Sequence, residues 1–85
     1  ADHIGEEFLG LITGVAGFGA FVQLDNTAEG LVRVDSIPGG PYRYDGERHA
    51  LIAEKRGRTY RLGERVKVRL VNVSLSDSRI DMEFA

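Results

Sequence analysis

A two-residue alternation, repeatedly broken by glycines and turn residues, limits this chain more than any other feature. Arg65 to Val73 shows it most cleanly: Val66, Val68, Leu70 and Asn72 share one face, and Lys67, Arg69, Val71 and Val73 the other. That period belongs to a strand with one buried side. Phe8 to Val15 reads as a first strand, with Phe8, Gly10, Ile12 and Gly14 on one side and Leu9, Leu11, Thr13 and Val15 on the other. Phe18 to Leu24 follows after a short Ala16-Gly17 turn, then Glu29 to Val34 as a third strand. Arg79 to Phe84 returns last, aligning Ile80, Met82 and Phe84. Five principal strands in 85 residues predict a small closed all-β barrel, because closure removes the sheet edges that invite aggregation.

The segment between the third strand and Gly63 is ambiguous. Pro38-Gly39-Gly40-Pro41 reads as a loop. Asp45 is a candidate helix cap and Gly57 a candidate helix end, with Ala50 to Ala53 between them. The competing reading pairs Ala50–Glu54 with Thr59–Leu62 as a hairpin around residues 55–58.

The chain makes one domain, with residues 1–4 as a linker and no initiator Met, so it reads as a piece of a longer protein. It lacks cysteine, which excludes disulfides and thiolate zinc sites and fits a cytoplasmic setting. No apolar run approaches the roughly 20 residues that span a bilayer, so no membrane partner is expected. The net charge is −2, but it is unevenly spread. Residues 1–32 contain no Lys or Arg, whereas residues 43–69 hold nine cations against four acids. Such a basic stretch is a candidate electrostatic footprint for a polyanion, or else an ordinary solvated surface.

Gly17-Phe18-Gly19-Ala20-Phe21-Val22 places two aromatic rings on a glycine-thinned backbone. An exposed ring near arginines is a stacking platform for an unpaired base. Single-stranded RNA is therefore the expected ligand. Side chains alternate along a strand, so residues 18 and 21 share a surface only if the strand bulges or Phe18 belongs to the preceding turn. Catalysis by the chain itself is not expected. His3 and His49 share no metal-ligand spacing, and Asp35, Ser36 and His49 come with no nucleophile turn. Gly14-x-x-Gly17-x-Gly19 lacks the lysine of a phosphate-binding loop, since Ala20 follows. Tyr42, Tyr44 and Tyr60 offer either a second stacking surface or packing of a hairpin over the barrel.

Gly10 to Val15, Phe18-Gly19-Ala20-Phe21-Val22, Glu29-Gly30-Leu31-Val32 and Val66-Lys67-Val68, in that order, resemble the S1 RNA-binding domain. The resemblance covers nearly all of residues 5–84 and implies a five-stranded barrel of the oligonucleotide-binding (OB) type. Tyr42-Arg43-Tyr44-Asp45, His49, Leu51-Ile52, Gly57 and Tyr60 to Val66 resemble the variant found in ribonuclease R-type exoribonucleases. That resemblance implies an inserted hairpin over residues 42–62. It also implies a parent enzyme that hydrolyses RNA from the 3′ end in a separate Mg2+-dependent catalytic domain, with which this domain makes an intramolecular contact. No cofactor is implied for the domain itself.

Carrying the family's RNA face onto this chain gives Phe18 and Phe21 as stacking rings and Arg33 and Arg79 as phosphate partners, with Lys67 or Arg69 assisting. Arg33 stands where many members have His. Ser74 replaces a common Asp, and Ala53 replaces a Gly, which needs negative φ at that position. The rival function is a protein-interaction or translation-associated module, as in ribosomal or polynucleotide-phosphorylase settings.

Overall fold

A computed structural model of the chain describes residues 4–25, 27–55, 58–76 and 79–85. Strands β1 (Glu7–Ala16), β2 (Gly19–Leu24), β3 (Glu29–Arg33), β7 (Arg65–Ser74) and β8 (Arg79–Phe84) close into a barrel in the order β1-β2-β3-β8-β7. This is the five-stranded OB-type barrel that the alternation and the resemblance imply. One turn of 3-10 helix, Val34–Ser36, follows β3. The remaining strands, β4 (Tyr42–Asp45), β5 (Ala50–Ala53) and β6 (Thr59–Arg61), form a second sheet in that order.

The period-two pattern decides which side chains go inside. Ile12, Val22, Val32, Val68 and Met82 are almost wholly buried, whereas their strand neighbours Thr13, Gln23 and Arg33 are exposed. All barrel pairings are antiparallel except β3 with β8, where Leu31 faces Asp81 and Val32 faces Met82. Gly30 makes that closing contact possible. A Cβ there would lie 2.5 Å from Met82 Cε and 2.9 Å from the Ile80 carbonyl oxygen. A side chain at this position would push β3 off β8 and open the barrel. Register shifts between Ile12 and Gly14 in β1, and between Leu70 and Asn72 in β7, fall in the two ten-residue strands. Each of these strands pairs on both sides, and a bulge supplies the bend that tight closure requires.

The insert is larger than the expected hairpin, because Tyr42–Asp45 adds a third, outer strand opposite Ala50–Ala53. The helical alternative over residues 45–57 fails for a local reason. Asp45 does act as a cap: its Oδ1 accepts hydrogen bonds from the amides of Glu47 (3.0 Å) and Arg48 (3.2 Å). The turn stops at His49, whose φ is +50°, and the chain then enters β5. An Asx turn and a helix N-terminus use the same side-chain chemistry, so the cap was legible but its continuation was not. Arg56 and Gly57 of the expected hairpin turn lie outside the described residues. Ala53 sits in extended backbone opposite Tyr42, so the missing glycine costs nothing there.

Tyr60 seats the insert on the barrel. Its ring is 6% exposed and stacks on Phe84 of β8, with centroids 4.1 Å apart and planes 2° from parallel. The Arg58 guanidinium lies 4.6 Å from the Tyr60 centroid, and Tyr42 packs alongside at 6.1 Å. Tyr42 donates its hydroxyl proton to the Pro38 carbonyl oxygen at 2.8 Å. Tyr42 and Tyr60 are therefore packing residues rather than a second stacking surface; Tyr44 stays 43% exposed.

Burial, assisted by neighbouring Tyr60, raises the pKa of Tyr42 above its ordinary 10.0. The unfolded chain then releases this proton first, so the stabilisation is complete below pH 10.0 and is lost as pH rises through the folded value. Tyr42→Phe should flatten the loss of stability above pH 10.0 in urea titrations. An equally steep alkaline loss in the variant would show that Tyr42 does not contribute to it.

Candidate nucleic-acid interface

The outer surface of β2, β3 and β8 carries the paired rings. Phe18 lies in the turn before β2, not within the strand, which resolves the alternation problem without a bulge in β2. The register shift occurs instead across the pairing, in β1. The Phe18 carbonyl accepts the Val34 amide at 2.8 Å, which fixes the turn against the end of β3. The Phe18 ring is 57% exposed. Phe21 is half-buried and lies across Gly14, where a Cβ would come within 3.3 Å of the ring. The two rings meet edge to face, with centroids 5.9 Å apart and planes at 86°.

Two shallow depressions run beside them. The first, of about 350 Å³, is lined by Phe18, Leu31, Arg33, Val34 and Asp35. The second, of about 200 Å³, is lined by Phe21, Glu29, Gly30, Leu31, Arg79 and Ile80. Leu31 borders both, so they adjoin there, and the path they offer has an aromatic ring and an arginine in each half. Arg33 and Arg79 are each loosely tethered by an aspartate two residues on, at 3.8 Å from Asp35 and 3.5 Å from Asp81. Arg33 and Arg79 keep 62% and 53% of their side chains exposed, so these loose pairs leave the guanidinium groups available to a phosphate.

Lys67 and Arg69 sit elsewhere. Both reach Glu7 across the β1–β7 seam, Lys67 at 3.9 Å and Arg69 at 3.0 Å, and neither lines the path past Phe18 and Phe21. The basic stretch as a whole is not gathered at the rings. Arg43 and Arg48 pair with Asp45 at 3.9 and 3.7 Å, and Arg58 pairs with Glu64. Charge counted along the sequence misplaces this footprint, because alternating strands and a folded-back insert send successive cations to different faces. The two arginines at the wall, Arg33 and Arg79, are the only cations outside residues 43–69. Leu31 and Glu29 were quoted in a motif but were not among the site residues expected from the sequence. The signal for Leu31 was its phase in β3, out of step with buried Gly30 and Val32. Among the described residues no cluster of three or more His, Asp or Glu side chains could hold a metal ion.

Comparison with known proteins identifies the family. Residues 2–84 match the family model of the S1 RNA binding domain. The chain belongs to the S1 RNA-binding domain family. This S1 domain is 44% identical over 81 residues to ribonuclease R of Escherichia coli, covering 94% of the chain and 10% of that protein. It is 43% identical over 82 residues to ribonuclease R of Aquifex aeolicus, covering 95% of the chain and 12% of that protein. The S1 domain thus spans about a tenth of the length of the curated relatives it matches. Among solved structures, Mycoplasma genitalium RNase R in complex with ribose methylated single-stranded RNA is similar, with a TM-score of 0.89 and 26% identity. That match covers 99% of the chain and 13% of the longer protein.

Proposed function

We propose that this S1 domain grips single-stranded RNA for a longer 3′–5′ exoribonuclease of the ribonuclease R type, with Phe18 and Phe21 stacking bases and Arg33 and Arg79 holding phosphates. The observation that carries this reading is the pair of depressions adjoining at Leu31, each lined by a ring and a cation. The 86° angle between the rings adds detail. Bases lying flat on both rings cannot stay parallel to one another, so the site favours a strand whose bases are splayed and disfavours a stacked duplex. Contacts of this kind carry little sequence preference. Lys67 and Arg69, engaged with Glu7, add long-range attraction rather than a seat for a phosphate. The domain itself requires no cofactor under this reading; Mg2+-dependent hydrolysis belongs to the longer enzyme. Contact with the catalytic domain of that enzyme belongs to the same reading. Among the described residues no helix is long and apolar enough to cross a membrane; a cytoplasmic site of action is part of the proposed reading.

Titration of the chain with oligo(A) RNA at several salt concentrations tests the reading. Affinity should fall on a log–log plot with a slope of about −0.7 for each phosphate held. Arg33→Ala and Arg79→Ala should each flatten that slope by about 0.7. Absence of RNA binding would sink the proposal, and salt-insensitive binding of a protein partner would point to an interaction module instead.

A further inference from the structure

Glu29 is out of place in a groove built for a polyanion. It lines the same depression as Phe21 and Arg79, where it repels phosphates. Arg79 does not neutralise it but turns to Asp81, 3.5 Å away. The carboxylate is nevertheless held in position. Thr13 of β1 donates its hydroxyl proton to Glu29 Oε2 at 2.7 Å, reaching past β2 to do so. A carboxylate offers about four acceptor sites, of which Thr13 uses one. What remains is an oriented, acceptor-only group facing the ligand path.

We infer that Glu29 accepts a hydrogen bond from a ribose 2′-hydroxyl and makes this domain selective for RNA over DNA. The inference rests on the RNA-binding reading above. Two arguments favour the sugar over a base. First, a nucleotide with its base on Phe21 and its phosphate at Arg79 has its ribose between them, and Glu29 borders that same space. Second, a sequence-tolerant site needs a donor that every nucleotide carries. Each ribose has a 2′-hydroxyl, whereas amino groups occur only on some bases. Glu29 is a specificity-determining residue in this scheme, and Thr13 positions it.

The test is fluorescence anisotropy of the 85-residue chain with three labelled oligo(A) strands of about ten nucleotides, within the site sizes of OB folds. The strands are ribo, deoxyribo and 2′-O-methyl; the last keeps the RNA-like sugar pucker but has no hydroxyl to donate. The wild type should bind the ribo strand about tenfold more tightly than the other two, the worth of a hydrogen bond to a charged acceptor. Glu29→Ala should cut that preference to about twofold or less, while affinity for the deoxyribo strand holds or rises as a negative charge leaves the groove. Glu29→Gln keeps an acceptor for Thr13 and should give an intermediate preference, which serves if the alanine variant folds poorly. Thr13→Val should weaken the preference without changing the charge.

An unchanged ribo-to-deoxyribo ratio in the Glu29 variants would overturn the inference, as would a wild type that binds all three strands equally. A shift confined to oligo(A) against oligo(U) would also overturn it, since Glu29 would then be reading a base. RNA binding with any of these outcomes leaves the broader reading standing, whereas no RNA binding at all removes both.

Discussion

Tyr60→Ala is expected to destabilise the domain by about 3–5 kcal/mol, the usual cost of removing a buried aromatic ring. The ring is 6% exposed, lies parallel to Phe84 at 4.1 Å and receives the Arg58 guanidinium at 4.6 Å. Its loss leaves a hole where the β4-β5-β6 sheet meets the barrel, and the short strands there cannot collapse to fill it. A small sheet without an apolar anchor is marginal by itself, so the insert should loosen with the substitution. Urea unfolding at neutral pH measures the effect, with Tyr60→Phe as the control that keeps the stack. A loss below about 1 kcal/mol for the alanine variant would mean that some other contact holds the insert in place.

Phe18→Ala is expected to weaken oligo(A) binding by about 1–3 kcal/mol, roughly 5- to 150-fold in Kd. Fold stability should change by no more than about 0.5 kcal/mol, since the ring is 57% exposed and lies in a turn. That separation makes Phe18 the sharper probe of the site. Phe21→Ala removes a second platform, but Phe21 also covers Gly14, so its binding loss must be read beside its own unfolding curve. If the Phe18 variant folds and retains full affinity for RNA, the ring is not a stacking platform and the path past Leu31 loses half of its rationale.

The sequence was most legible where a physical period repeats. Val66, Val68 and Leu70 alternate with Lys67 and Arg69 over enough residues that only a half-buried strand fits, and β7 follows that phase. Phe18 and Phe21 were legible as a pair because glycines flank them and arginines follow. The conflict between their spacing and strand alternation already named the two permitted answers, a bulge or a turn. Asp45 shows the limit: its side chain caps amides in either a helix or an Asx turn, and local chemistry cannot say which continuation follows. Local excess of charge was a poorer guide still, since Lys67 and Arg69 are drawn to Glu7 from the far end of the sequence.

The sequence by itself determined the strand phases as far as the bulges in β1 and β7, past which Val15 and Val73 turn to the core against the expected alternation, and the presence of two rings that need not be core. Those properties depend on neighbours two or three residues apart, and side-chain chemistry with backbone geometry settles them locally. Only the tertiary structure decided that Arg33 and Arg79 flank one path, that Glu29 is held there by Thr13, and that the insert is a three-stranded sheet seated on Phe84. Each of these joins residues far apart in the chain. Their meeting follows from the parallel β3–β8 contact and the closure of the barrel, whose free energy is shared over the whole core and is written in no short stretch of sequence.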